Sequence, residues 1–157
     1  MAKATRATNM LDRAGITFTI HTYDYDPDAE RIGIQAAESL GEPAARVLKT
    51  LMAIVDGRPV CAIIPSDQQV AMKKLAAALG GKAAEMMKPA DAERITGYKV
   101  GGISPFGQTR RVPVAIEAEA LDQPYVYING GQRGLQIRID PKEAARILDA
   151  RVAALSA

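Results

Sequence analysis

Residues 47–65 constrain this chain more than any other stretch. Val47 to Val55 is nearly continuous apolar sequence, Pro59 to Pro65 is a second β-rich run, and Asp56-Gly57 lies between them. An Asp-Gly pair between two such runs predicts a tight hairpin, because the favoured two-residue turn needs positive φ at both central positions. Period-two geometry puts Val47, Lys49, Leu51, Ala53 and Val55 on one face of the first strand, with Leu48, Met52 and Ile54 on the other. Lys49 is then the only charge on an apolar stripe. Desolvating an ammonium is costly unless something compensates. Two readings stand equal on this pattern. Lys49 is either an end-of-strand lysine that snorkels to water, or a lysine aimed into a cleft to meet a carbonyl, hydroxyl or phosphate.

The sequence around the hairpin predicts the remaining elements. Residues 4–14 form a short opening helix stopped by Gly15. Ile16 to Tyr23 alternates, with Phe18 and Ile20 on one face and Thr17, Thr19, His21 and Tyr23 on the other, which is a strand pattern. Asp24 to Glu30 is an acidic loop, and a helix from about Ile34 to Leu40 ends at Gly41. A further helix spans about Val70 to Leu79, with Ser66 as its cap, and another starts after Lys88 with Pro89 in its first position. Strands follow at 112–117, 125–129 and 135–139, the last two joined by Gly130-Gly131-Gln132-Arg133-Gly134. Asp140-Pro141 caps and opens the final helix. Strands and helices mixed in this order predict an α+β fold in a single domain, 1–157, around a mixed sheet.

Thr96 to Gly107, Thr-Gly-Tyr-Lys-Val-Gly-Gly-Ile-Ser-Pro-Phe-Gly, belongs to none of these elements. Glycine weakens a strand and packs nothing, so this density marks special backbone geometry, locked by Pro105. Such backbones are expected where N–H groups approach a ligand closely, and Arg110 and Arg111 stand beside the segment.

Composition excludes more than it selects. The chain has 157 residues, a net charge of +2, and 24% charged residues. That charge is too small to mark a nucleic-acid binder by itself, although Lys73-Lys74, Lys88, Lys99, Arg110-Arg111, Arg133 and Arg138 are local cations. No apolar run approaches the ~20 residues of a membrane helix, and the first residues lack the apolar core of a secretory signal. Cys61, the sole cysteine, sits among Val60, Ala62 and Ile63 as a buried hydrophobe, and its solitude fits a reducing cytoplasm. His21 is the sole histidine and has no companions for a zinc site. No nucleophile elbow, Walker loop or dinucleotide fingerprint is present, and nothing in the spacing supports a triad of Ser104 with His21.

Several blocks together resemble a known family. Val-Leu-Lys-Thr-Leu (47–51), Lys-Lys-Leu-Ala-Ala-Ala-Leu-Gly (73–80), residues 96–108 and Gly-Gln-Arg-Gly-Leu-Gln-Ile (131–137), with His-Thr-Tyr-Asp-Tyr-Asp-Pro (21–27), are similar to the YbaK/EbsC family, nearest its YbaK branch. The resemblance runs in order over essentially the whole chain. It implies a curved mixed β-sheet flanked by helices, related to the editing domain inserted in bacterial prolyl-tRNA synthetases. It further implies a cytoplasmic enzyme that removes a wrongly attached amino acid from tRNA, without metal or cofactor.

The resemblance also assigns residues. Lys49 matches the family's functional lysine, expected to hold the aminoacyl ester or the terminal adenosine. Gly101, Gly102, Ile103, Ser104 and Pro105 match the loop whose backbone lines the aminoacyl pocket; Gly101 and Gly102 are the catalytic candidates, and the backbone N–H groups of Gly101–Ser104 are expected to stabilise the developing oxyanion. Tyr23 matches a pocket tyrosine, Ile32 falls where an aromatic residue is frequent, and Gln136 falls where some relatives carry an acid. The implied reaction is release of cysteine from mischarged Cys-tRNA(Pro), with Cys-tRNA(Cys) as a second substrate left open. The cysteinyl thiol would serve as nucleophile, and intramolecular attack gains a large proximity advantage. The implied partners are the 3′ end of an aminoacyl-tRNA and, left open, a prolyl-tRNA synthetase. Two alternatives remain at this level: a deacylase for another small amino acid, and a non-catalytic module that binds tRNA or a synthetase. Oligomeric state is not readable.

Overall fold

The Asp56-Gly57 turn forms as its residues require, with φ of 49° and 82°, the paired positive values of a primed hairpin turn. The computed structural model describes residues 4–28 and 32–157, with the backbone alone at 32 and 33. Its helices are α1 (Arg6–Arg13), α2 (Ile32–Leu40), α3 (Met72–Ala78), α4 (Pro89–Thr96) and α5 (Pro141–Leu148). Its strands are β1 (Phe18–Thr22), β2 (Leu48–Val55), β3 (Arg58–Pro65), β4 (Ala84–Met86), β5 (Val114–Glu117), β6 (Val126–Asn129), β7 (Leu135–Ile139) and β8 (Arg151–Ala153).

Two ladders result. The larger has the order β4-β2-β3-β5-β8, in which β2 pairs antiparallel with β3 and β4, while β5 pairs parallel with β3 and β8. The smaller has the order β1-β7-β6, all antiparallel. An isolated parallel bridge between Val47 and Tyr127 links the two sheets. Both faces of the hairpin are covered, as its composition demands. Leu48, Met52, Cys61 and Ile63 enter the main core with Leu11, Phe106 and Ile137. Ala53, Val55, Val60, Ala62 and Ile64 pack on the other side against Leu75 and Ala76 of α3.

One pairing detail positions everything that follows. The outer edge of β2 meets β4 only at Ala53–Val55, and meets β6 only through the bridge at Val47. Between those points, Leu48 to Met52 has no strand partner on that edge among the described residues.

Three details depart from the sequence expectations. β4 and β8 were not expected, since three-residue strands carry no alternation and exist only through their neighbours. Ser66 does not cap a helix: α3 begins at Met72 after Ala71, and the Ser66 hydroxyl donates instead to the Ala44 carbonyl at 3.4 Å. The strand expected at 112–117 starts later, at Val114.

The C-terminal segment is tied down by Glu117, a buried carboxylate in the core. It accepts from the N–H groups of Leu155 and Ser156, both at 2.9 Å, and from the Ser156 hydroxyl at 2.8 Å. Burial pushes this carboxyl up, but the donors together outweigh it and hold it below the ordinary carboxylate range. A carboxyl lowered on folding contributes stability where the unfolded chain is also ionised. That contribution fades as pH falls through the unfolded and then the folded value. Glu117→Gln is therefore expected to cost about 2 kcal/mol at neutral pH. In chemical denaturation the gap between variant and parent should close as pH drops below the carboxylate range.

Candidate active site

The gap in β2 floors a cavity of about 330 Å³, at the small end of ligand pockets. Residues Leu48 to Met52 border it from β2, Gln136 and Asn129 from the smaller ladder, and Gly101 and Ile103 from the glycine-rich loop. The strand's parity decides what the floor offers. Ser66 N–H donates to Val47 O on the β3 side, whereas Met87 N–H donates to Met52 O on the outer side. Odd residues thus turn their peptide groups towards β3 and even residues turn theirs outward. Thr50, in the middle of the gap, presents its own N–H and C=O to the cavity.

Two side-chain atoms sharpen the case. Thr50 Oγ1 and Gln136 Oε1 are buried without a hydrogen-bond partner among the described residues, and both residues border this cavity. Gln136 is only 4% exposed. An unpartnered buried polar atom costs about 1–3 kcal/mol, so two in one cavity mark a place kept for a polar ligand. Lys49, half-buried, borders the same space. Beside Gln136 stands Tyr23, whose phenol is pushed up by burial and by Tyr25, with the Gln136 amide pulling the other way. A phenol raised in this way stays protonated at neutral pH and can donate.

The glycine-rich loop is locked from several sides. Tyr98 Oη donates to Phe106 O at 2.7 Å, and Gln108 Nε2 donates to Ser104 O at 3.0 Å. Asn129 Nδ2 donates at 3.3 Å to Gly101 O and to Gln132 O, stitching this loop to the second glycine-rich turn. The need for glycine follows from that packing. A Cβ on Gly101, at φ +89°, would lie 2.4 Å from the Tyr25 hydroxyl. One on Gly102 would lie 2.8 Å from the Arg133 backbone nitrogen. The close approach inferred for Gly102 is therefore to another turn of the chain, not to a ligand.

Five expected site residues meet at this cavity: Tyr23, Lys49, Gly101, Ile103 and Gln136. Three do not border it. Gly102 N–H already donates to Lys99 O at 2.8 Å, which removes it as an oxyanion donor. Ser104 is fully buried, with its Oγ accepting from Phe106 N–H at 3.2 Å. Pro105 borders a separate hollow beside Met10 and Leu148. The Ile32 side chain lies outside the described residues. Neither Ser104 nor His21 could form a triad, since His21 Nε2 pairs with Thr19 Oγ1 at 2.8 Å and its ring stands edge-on to Tyr127. Cys61 is fully buried, and burial pushes its thiol up to about 12 despite the nearby Gln108. It is no nucleophile.

Thr50, Tyr25 and Asn129 were missed. Thr50 carried a signal: it is a polar residue on the apolar face of Leu48, Met52 and Ile54, the pattern that singled out Lys49 on the opposite face. Tyr25 and Asn129 gave none, because only the packing of two turns brings them here. Among the described residues no three His, Cys, Asp or Glu side chains gather as a metal site, and no helix is long and apolar enough to cross a membrane.

A small cavity at a strand gap, bordered by a glycine-rich loop and holding two polar atoms unpartnered among the described residues, is a place for a compact ligand. The chain belongs to the family of aminoacyl-tRNA editing domains, whose model matches residues 26–147. A protein of Enterococcus faecalis, provisionally named Cys-tRNA(Pro)/Cys-tRNA(Cys) deacylase EbsC, is 32% identical over 97% of this chain and 93% of its own length. Proline–tRNA ligase of Acidithiobacillus ferrooxidans is 30% identical over 55% of this chain, which spans 15% of the ligase. Among solved structures, one provisionally described as a trans-editing enzyme for prolyl-tRNA synthetase has a TM-score of 0.81 at 22% identity, covering 97% of this chain and 95% of its own. A hypothetical protein has a TM-score of 0.86 at 21% identity, covering 98% and 100%. At those identities the structural likeness speaks for the fold.

Two substitutions separate packing from binding. Gly102→Ala places a methyl against backbone that cannot retreat and should cost about 1–3 kcal/mol in denaturant melts. Thr50→Val should behave oppositely, leaving stability unchanged or raising it by up to about 1 kcal/mol, because it removes an unpaired buried hydroxyl. A larger loss at Thr50 would mean that the hydroxyl holds the fold together.

Proposed function

We propose that this chain is a trans-editing deacylase that releases cysteine from Cys-tRNA(Pro). The observation that carries the reading is a cavity holding Lys49 and two buried polar atoms unpartnered among the described residues, with no serine, cysteine or histidine among the described residues that border it. Such a site can bind and polarise an ester but must take its nucleophile from elsewhere. A cysteinyl thiolate attacking its own ester carbonyl forms the C–S bond of a small thiolactone. The C–O bond to the ribose then breaks, the ribose oxygen leaves with a proton, and water opens the ring to free cysteine. Lys49 positions the ester or the neighbouring ribose hydroxyl. Gly101 and Ile103 are the residues of the segment 101–105 that border the cavity, and in this reading their N–H groups face the developing oxyanion, a contact worth ~3 kcal/mol per donor in other enzymes. Thr50 and Gln136 hold the amino acid, and Tyr23 closes its pocket. The acyl-bearing 3′ end of tRNA is the partner, with a prolyl-tRNA synthetase as the second, in the cytoplasm.

The deciding measurement is a deacylation panel over Cys-tRNA(Pro), Ser-tRNA(Pro) and S-methylcysteinyl-tRNA(Pro), with Ala-tRNA(Pro) alongside. Cys-tRNA(Pro) should turn over at least tenfold faster than the others, and Lys49→Ala should lose on the order of a hundredfold with its melting curve unchanged. Equal turnover of the cysteinyl and S-methyl substrates would replace the thiol with water. Preference for alanine would change the substrate, and inactivity on the whole panel would leave a binding module.

A further inference from the structure

The start of α1 lies outside residues 26–147, the part that the family model matches, yet it is bonded to both glycine-rich turns. Thr5, its N-cap, donates its hydroxyl to Gly130 O at 2.6 Å. Arg6 reaches the other turn at its base. Thr109 N–H donates to Thr96 O at 3.0 Å, so residues 97–108 form a loop whose ends meet. The Arg6 guanidinium spans that junction: Nη2 donates to Gly97 O at 2.9 Å and Nη1 to Thr109 Oγ1 at 2.8 Å. A planar fork of donors suits such a two-ended contact, and an ammonium cannot reproduce it. The loop is shaped to admit it, because a Cβ on Gly97, at φ +79°, would fall onto the guanidinium and the Thr109 hydroxyl.

Tyr98 carries the contact inward. The Arg6 guanidinium stands 5.3 Å from the centroid of this buried ring, whose hydroxyl donates across the loop to Phe106 O. The ring also lies against the second turn, where a Cβ on Gly131 would come within 2.8 Å of a ring carbon. Between Tyr98 and Phe106 lie Gly101 and Ile103, which border the cavity, whereas Arg6 is exposed and does not. An exposed side chain of this kind adds little to global stability. We propose that Arg6 is a positioning residue for deacylation, a clasp that holds the loop where Gly101 and Ile103 meet the ester. This rests on the deacylase reading and adds to it a residue that acts through the loop without touching substrate. A loop that drifts loses contacts made in the transition state, which lowers kcat and leaves KM in place.

The test compares Arg6→Gln and Arg6→Lys with the parent, the lysine variant keeping the charge but not the fork. In chemical denaturation both should stay within about 0.5 kcal/mol of the parent. On Cys-tRNA(Pro) both should lose about tenfold in kcat, with KM changed by no more than about twofold. Amide hydrogen exchange, which needs no substrate, should run about tenfold faster over residues 97–108 in both variants and stay unchanged over β2 and β3. Unchanged exchange in the loop overturns the clasp. So does faster exchange with kcat intact, which would leave Arg6 a structural tie alone. Parent values restored by lysine would make charge the agent and overturn the fork. A parent that leaves Cys-tRNA(Pro) intact overturns the deacylase reading and the positioning role with it, while hydrogen exchange still reports whether Arg6 holds the loop.

Discussion

The structure depends on one strand that is hydrogen-bonded fully along one edge and only at its ends along the other. Had β4 continued past Met86, or had β6 kept pairing with β2 beyond the bridge at Val47, the edge of β2 would be filled and no cavity would exist there. An open edge is a liability for a protein, because unpaired peptide groups invite another strand. Here the smaller ladder and the glycine-rich loop flank it, so the edge faces a half-open pocket rather than bulk solvent. The arrangement also explains how adjacent residues serve one site. Lys49 and Thr50 point to opposite faces of β2, yet a cavity that opens at the strand's edge is reachable from both.

The two glycine-rich turns act as one unit. Asn129 bonds to carbonyls of both, and the glycine at 102 is required where one backbone lies against the other. This changes what glycine density means in the chain. It is the signature of two turns interlocking, and the site inherits its rigidity from that interlock. The cost is donors: Gly102 spends its N–H within its own turn, so fewer amides remain to meet a ligand than the loop's composition suggests.

The fold was legible where periodicity or punctuation was strong. The Asp56-Gly57 hairpin, Pro89 at a helix start and the Asp140-Pro141 opening all fix backbone through local chemistry, so sequence alone exposes them. β4 and β8 exist only because partners exist, and no local pattern records that. The site divides on the same line. Lys49 stood out as a charge within an apolar stripe, and Gln136 and Tyr23 emerged from resemblance. Ser104 was placed at the pocket by resemblance, as one residue of a loop whose backbone lines it. The Ser104 hydroxyl is instead consumed in supporting Phe106, a fully buried ring.

The proposed reaction, in which the substrate supplies the nucleophile, makes specific demands on the cavity's electrostatics. Burial keeps Tyr23 protonated and Cys61 locked as a thiol in the core. What the wall presents to a ligand includes a phenol, a lysine, the Thr50 hydroxyl, the Gln136 amide oxygen and the outward peptide groups of β2, donors and acceptors set in an otherwise apolar lining. Donors stabilise negative charge wherever it forms. For an ester that charge is the oxyanion, and for a bound cysteinyl group it is equally the thiolate, whose formation is favoured beside cationic and hydrogen-bonding groups. In the proposed reaction one set of donors would lower the cost of both the nucleophile and the intermediate it creates. A serine hydroxyl in the same place gains little from this, because its ionisation lies too far from neutral pH for a few hydrogen bonds to reach. Discrimination between two nearly isosteric side chains can then arise from acidity, which a pocket of this size could not achieve by shape.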